Sequence, residues 1–214
     1  MQVENLDEEE TESVNISSVA VSPTWDSRDD VFAPSRGTRA RFGLEWGSHY
    51  LGGELDFVRT RLEASRFWPL GERSVLAASL RTGVIAPIGD SDTIPLQERF
   101  FNGGQDTVRA FKQDQLGPAD EFGNPEGGET FSVVSLEWRR RLSGKLAGAL
   151  FVDAGNVSPQ AAEYFSFRDV RHGFGVGLRY LLPIGPLRLD VGVNPAPRDD
   201  EDRVVAHFSV GMPF

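Results

Sequence analysis

The feature that most constrains this chain is a period-two alternation of apolar and polar residues, repeated in short runs along nearly its whole length. In 38–47, Thr38, Ala40, Phe42, Leu44 and Trp46 alternate with Arg39, Arg41, Gly43, Glu45 and Gly47. In 58–65, Val58, Thr60, Leu62 and Ala64 alternate with Arg59, Arg61, Glu63 and Ser65. Leu76, Ala78, Leu80 and Val84 oppose Ser79, Arg81 and Gly83, and Val134, Leu136 and Trp138 oppose Ser135, Glu137 and Arg139. The pattern returns as Leu150 and Val152 against Phe151 and Asp153, then as Phe174, Val176, Leu178 and Tyr180 against Gly173, Gly175, Gly177 and Arg179. It closes with Leu187, Leu189, Val191 and Val193 against Arg188, Asp190, Gly192 and Asn194, and with Ala206, Phe208, Val210, Met212 and Phe214 against His207, Ser209 and Gly211. A repeat of two belongs to a β-strand, whose side chains point to opposite faces in turn. With a weaker run at 16–25, the chain carries about nine such strands, each of a length that crosses a bilayer when tilted. The 23 Gly and 13 Pro scattered among them leave few windows with a helical period.

Alternation alone does not say which face is buried. A soluble β-sandwich turns its apolar faces inward and its charges to water, whereas a transmembrane barrel turns its apolar face to lipid and its polar face to a lumen. Two features favour the barrel. The second face mixes Arg, Glu, Asp and His with many Gly, as a polar lumen does, and aromatics (Trp25, Trp46, Phe67, Trp68, Tyr180, Phe214) sit near strand ends, where interfacial girdles lie. No run approaches the roughly 18 apolar residues of a membrane-spanning helix. A net charge of -10, from 32 acidic and 22 basic residues, argues against a nucleic-acid partner. The absence of cysteine suits a compartment where free thiols are a liability. Residues 1–13 are polar and acidic, are expected to be a disordered or loop segment, and have neither the basic start nor the apolar centre of a signal peptide. The barrel segment is expected over 14–214.

Connection lengths alternate. Trp68-Pro69-Leu70-Gly71, Ser143-Gly144-Lys145 and Pro183-Ile184-Gly185-Pro186 are short turns, and 47–54, 86–130, 154–171 and 194–203 are longer polar links. This is the pattern of periplasmic turns and extracellular loops, with 26–37 as a somewhat long exception on the short side. The segment 86–130 is too long for a casual loop and is expected to be functional.

That segment holds Arg99-Phe100-Phe101-Asn102-Gly103-Gly104-Gln105-Asp106-Thr107-Val108-Arg109-Ala110-Phe111. It resembles the R-F-F-x-G-G-x-x-x-V-R-G-[FY] loop of the outer-membrane assembly-factor superfamily (bacterial surface antigen domain), which includes BamA and TamA. Ala110 stands where the family usually has Gly. Downstream, Ser135-Leu136-Glu137-Trp138-Arg139 is similar to the family's S-x-E-[FY]-R strand, and Phe151-Val152-Asp153-Ala154-Gly155-Asn156-Val157 to its F-x-D-x-G-x-V strand. Gly175–Tyr180 with Pro183–Asp190 resembles the next hairpin, His207–Gly211 the last strand, and Asp26–Asp30 with Pro34 and Gly37 an upstream turn. Each motif is weak alone, but the ordered set covers most of 16–214.

The resemblance implies an antiparallel transmembrane barrel of which this chain is the C-terminal part, about nine of sixteen strands, with POTRA domains preceding it in the family. Such a chain is expected to be a fragment. It further implies that the loop motif Val108, Arg109, Ala110, Phe111 plugs the lumen, with Arg109 held against Glu137 and Asp153. Alternation independently puts those two carboxylates on the lumenal faces of neighbouring strands, where a planar guanidinium suits bidentate pairing. The alternative is that they join a charge ladder with Arg139, Arg179 and Arg188. Phe208, Val210, Met212 and Phe214 resemble the family's last-strand signal, or form an ordinary last strand with an interfacial aromatic.

The function implied is non-enzymatic assembly or insertion of other outer-membrane proteins, or protein translocation, in the bacterial outer membrane. The partners implied are the lipid bilayer, client outer-membrane proteins and periplasmic accessory proteins reached through POTRA domains. A two-partner secretion transporter shares the loop. Such a barrel could also anchor a patatin-like lipase or serve as a passive pore. His49, His172 and His207 lie in no nucleophile context and show no ligand spacing, so no catalytic residue, cofactor or metal is expected.

Overall fold

The computed structural model describes residues 14–166, 169–183 and 185–213. The expected acidic segment 1–13, together with Ile184 and Phe214, lies outside the described residues. The strands are β1 (Ser18–Val21), β2 (Thr24–Asp26), β3 (Gly37–Gly47), β4 (Phe57–Pro69), β5 (Ser74–Pro87), β6 (Thr130–Ser143), β7 (Leu146–Ser158), β8 (Arg171–Tyr180), β9 (Leu187–Val193) and β10 (Val204–Val210). Helical structure among the described residues is limited to three single 3-10 turns. All ten strands form one sheet in the order β1-β3-β4-β5-β6-β7-β8-β9-β10, with β2 also on β3 and every pairing antiparallel.

β1 and β2 keep one register against β3, with Val21 opposite Leu44 and Thr24 opposite Arg41. They are a single strand line broken at Ser22-Pro23, because proline has no N–H to give the ladder. The Pro23 carbonyl still accepts from Phe42 N at 3.1 Å. Among the described residues the sheet therefore has nine strand lines. β10 pairs only with β9 and β1 only with β3 among the described residues, so the sheet is not closed.

The two faces decide the fold class. Phe42, Leu44, Trp46, Leu136, Val152, Phe174 and Phe208 are exposed, whereas Arg59, Glu137, Asp153, Arg179, Arg188 and Asp190 on the opposite face are buried. A soluble sandwich would show the reverse. An apolar outside around a charged inside is the arrangement of a barrel in lipid. Trp25, Trp46, Trp68 and Tyr180 lie on the exposed face, as girdle residues should. Phe67 does not. It is 2% exposed and shares the inward parity of Arg59 and Ser65, with the Arg139 guanidinium 5.4 Å from its ring centre.

Met212 is a second departure from the expected faces. The strand stops at Val210 because Gly211 turns with φ +101°, a left-handed conformation that glycine adopts without strain. The tail swings inward, and Met212 Sδ receives a hydrogen bond from Arg139 Nη1 at 3.1 Å.

Among the described residues, the connections β4–β5, β6–β7 and β8–β9 lie at one end, and β3–β4, β5–β6, β7–β8 and β9–β10 at the other. The strand β7 runs on to Ser158, past the residue 154 at which a link was expected, because its inward face continues to find partners. The 27–36 link is tied down by its acids. Asp29 accepts from Ser35 and Arg36 N–H, Asp30 from Phe32 and Ala33 N–H, and Asp26 grips the Arg28 fork. The sheet's interior is filled from above by the 88–129 loop, which supplies the apolar clusters Leu55-Phe57-Ile85-Ile94-Phe100 and Val108-Ala110-Phe111-Leu116-Val133 together with the strand walls.

Candidate functional site

The 88–129 loop enters as a small ribbon, with Phe100 and Gly128 exchanging both backbone hydrogen bonds at 2.8 and 2.9 Å. Leu116 N then reaches back to Asn102 O and Gly104 N to Phe111 O, so residues 102–116 form a closed unit rather than a loose strand. At its tip a turn closed by Phe111 N on Val108 O puts Val108 and Phe111 into the apolar cluster against Val133 and points Arg109 at the sheet.

Arg109 is 1% exposed, and Glu137 and Asp153 are wholly buried. The guanidinium takes Asp153 as a fork, Nε on Oδ2 at 2.8 Å and Nη2 on Oδ1 at 2.9 Å, and the Arg109 backbone N–H adds a third bond to Oδ2 at 3.1 Å. Nη1 turns to Glu137 Oε2 at 2.5 Å. The Phe151 ring lies 3.6 Å from the guanidinium carbon, so the cation is sandwiched between two carboxylates and an aromatic face. Burial works against the charge, but Asp153 and Glu137 outweigh it and raise the Arg109 pKa above its ordinary value.

The structure joins the loop anchor and the charge ladder into one network. Glu137 Oε2 also receives Arg179 Nη2 at 3.0 Å, and Arg179 Nη1 donates to Asp190 Oδ1 at 2.6 Å. Arg139 Nε stands 3.7 Å from Glu137 Oε1, and Arg188 Nε 3.7 Å from Asp190 Oδ2. Arg188 then ties the loop to the last strands, donating to Gln105 O and Asp106 Oδ1 at 2.9 Å and to Ser209 Oγ at 2.8 Å. His207 on β10 meets the Arg109 carbonyl at 3.1 Å. The loop tip thus touches every strand from β6 to β10.

Asp190, Asp106 and His207 are the members that sequence reasoning did not assign to the site. Alternation had put Asp190 and His207 on the inward face, and an excess of inward arginines was the available signal that another carboxylate was needed. A second loop also dips inward, where Tyr164 OH meets Thr82 Oγ1 on β5 at 2.9 Å.

The Ala110 position needs no glycine here, because its φ is not among the positive values of the described residues. Its methyl occupies room left by the strand. A Cβ built on Gly173 would stand 2.1 Å from Ala110 Cβ, and one on Gly192 2.2 Å from Arg109 O. Glycines on β8 and β9 therefore form the seat of the loop tip.

Of the last-strand residues, Phe208 and Val210 are exposed on the outer face, Met212 is turned inward, and Phe214 is outside the described residues. No group of His, Cys, Asp and Glu among the described residues is placed to hold a metal ion. His49 pairs with Asp56 at 2.6 Å in the 48–56 link and braces that loop.

Residues 2–214 match the Omp85 superfamily domain. Over 207 residues the chain is 32% identical to an outer membrane protein assembly factor BamA of Nitratidesulfovibrio vulgaris, covering 95% of this chain and 26% of that protein. It is 34% identical over 120 residues to a sorting and assembly machinery component 50 homolog of Mus musculus, covering 56% of this chain and 25% of the relative. The chain thus spans about a quarter of the length of these relatives. Its fold resembles BamA from Haemophilus ducreyi lacking POTRA domains 1–3, with a TM-score of 0.70 at 20% identity over 89% of this chain and 42% of that one. Charged-in, apolar-out strands, an arginine-anchored loop and a family match across the chain lead to one conclusion: this outer-membrane chain belongs to the Omp85 superfamily.

Proposed function

We propose that this chain is the barrel region of an outer-membrane protein assembly factor, and that it works without catalysis. The observation that carries the reading is the seating of Arg109 between Asp153 and Glu137, which commits the longest loop to the interior instead of to a binding surface outside. A passive pore gains nothing from filling its own lumen. The names of the relatives favour insertion over passenger secretion. In this reading the exposed edge of β10 offers its free N–H and C=O groups to a client strand. Client outer-membrane proteins are the substrates, and periplasmic accessory proteins act through domains that the longer relatives carry.

β1 and β10 are eight antiparallel steps apart and run the same way, so closing the barrel with antiparallel pairs takes an odd number of further strands. The relatives, of which this chain covers about a quarter, are long enough to supply them. The test uses phospholipid vesicles containing the full chain, to which a urea-unfolded outer-membrane barrel is added. Client folding, followed by protease protection, is expected to accelerate with the wild-type chain and to fall to the protein-free rate with Arg109→Ala. A chain that leaves client folding unchanged, and conducts ions better as Arg109→Ala, is a pore and overturns the proposal.

A further inference from the structure

On the β3–β5 wall, the interior carries arginines that form no ion pair among the described residues. In register across β3, β4 and β5, one row reads Arg41, Glu63, Arg81 and the next Arg39, Ser65, Ser79. Serines leave a hollow where longer side chains would fill it. The result is a cavity of 480 Å³ at the short-turn end of the lumen, lined by Arg39, Arg41, Glu63, Ser65, Ser79 and Arg81 and edged by the inward tail at Met212 and Pro213.

Among the described residues the side chains of Arg39 and Arg41 make no hydrogen bond or ion pair, and that of Arg81 makes only a long bond from Nη2 to Pro213 O at 3.4 Å. The Arg81 Nε and the Ser79 Oγ are buried without a partner, and Ser79 is only 6% exposed. Of the neighbouring cations, Arg61 stands over the Phe100 ring at 5.1 Å with no ion pair among the described residues, and the others are paired. Arg28 grips Asp26, and Arg59 pairs with Glu45 and Glu98. Asp106, which also lines the cavity, is held by Arg188.

We propose that this hollow is an oxyanion site for a phosphate group, gripped by Arg39, Arg41 and Arg81 with Ser79 donating its hydroxyl. In the cavity lining, three guanidiniums and one carboxylate, Glu63, form no ion pair among the described residues, which leaves two positive charges. A phosphate monoester, at roughly −1.5 to −2, balances them, whereas one carboxylate does not. Guanidinium forks match two phosphate oxygens at once, and a hydroxyl at the floor serves a third. The ligand is an inorganic phosphate or the phosphomonoester headgroup of a lipid entering from the short-turn end. The inference goes beyond the assembly role and stands or falls without it.

The test is a thermal-unfolding titration of the full chain, folded in zwitterionic detergent, with inorganic phosphate and with monomeric dihexanoyl phosphatidic acid at constant ionic strength. Saturable stabilisation by phosphate, absent with chloride, is expected. Each lost charge-assisted contact weakens binding by about tenfold, so Arg81→Gln and Arg39→Gln should each shift the half-saturation that far. Ser79→Ala, which removes only the hydroxyl, should shift it by less, and decides the matter if the arginine variants do not fold. Equal half-saturation for the two probes identifies the site with free phosphate, and tighter binding of the lipid identifies it with the headgroup. Absence of saturation, indifference to all three substitutions, or tighter binding of a hexaglutamate peptide than of either phosphate overturns the proposal.

Discussion

Gly173→Ala tests how the loop tip is seated. The added Cβ would stand 2.1 Å from Ala110 Cβ, with Val193 O at 3.1 Å and Ala110 Cα at 3.5 Å as the next neighbours. Carbon atoms rest about 3.5–4.0 Å apart, so a gap of roughly 1.5 Å has to open. The strand cannot yield easily. Gly173 lies directly opposite Asp153, the anchor of Arg109, and the β9 pairing of β8 begins at the next residue, Phe174. The loop tip must lift instead, and a lift of that size breaks the Arg109 bonds to Asp153, which now measure 2.8, 2.9 and 3.1 Å. Overpacking costs about 1–3 kcal/mol, and each charge-assisted bond lost adds about 1.5–3 kcal/mol. A total of about 3 kcal/mol or more is expected.

The clash is with one methyl, that of Ala110, so removing it is the control. In the Ala110→Gly background the nearest contact of the new Cβ becomes Val193 O at 3.1 Å, which a shift of a few tenths of an ångström relieves. The double variant should recover most of the loss, a coupling of about 2 kcal/mol, within the range for residues in contact. Ala110→Gly alone should cost about 0.5–1 kcal/mol through added chain freedom. The assay is the urea-unfolding midpoint of the full chain in detergent, followed by tryptophan fluorescence, with tryptic cleavage after Arg109 and Lys112 reporting whether the tip has lifted. A Gly173→Ala penalty of the same size whichever residue stands at 110 would refute the reasoning.

Two further outcomes are expected. His207→Gln, which keeps a donor for the Arg109 carbonyl, should leave amide exchange in β10 near wild type, whereas His207→Leu should speed it about two- to tenfold; equal exchange in the two variants would show that the contact does not hold the edge strand. In the 27–36 link, burial opposes the Asp29 charge, but the Ser35 hydroxyl and the Ser35 and Arg36 N–H groups hold its pKa down to about 2, against 3.8 for the free group. The folded value is the lower one, so this stabilisation is full above the unfolded pKa and is lost as pH falls through about 2. Unfolding midpoints of wild type and Asp29→Asn should therefore converge over that window, and parallel pH profiles would count against the assignment.

The residues that could be read in advance are those whose placement is a local property. Leu136 and Glu137 are neighbours on a strand, and a strand puts neighbours on opposite faces whatever the rest of the fold does. Hence the nine strand lines, the apolar outside and the inward position of Glu137, Asp153, Arg179 and Arg188 were legible. Phe67 was not, since an aromatic near a strand end looks like a girdle residue until its parity is counted against Arg59. Met212 was missed for a related reason, because a single left-handed glycine at 211 ends the alternation and turns the tail inward.

By itself, then, the sequence determined the sheet, its two faces and, through the motifs, the superfamily to which it is similar. Only the tertiary structure decided which charges meet. Arg109 finds Asp153 44 residues away, Arg188 finds Asp106 82 residues away, and His207 reaches the Arg109 carbonyl across 98. Such pairings depend on how strongly the sheet curls and how deeply the loop descends, quantities to which every strand contributes. The same holds for Arg39, Arg41 and Arg81. Their parity shows that they face inward, but the register of β3, β4 and β5 gathers them beside Ser79, with Glu63 between Arg41 and Arg81 and no ion pair formed among the described residues.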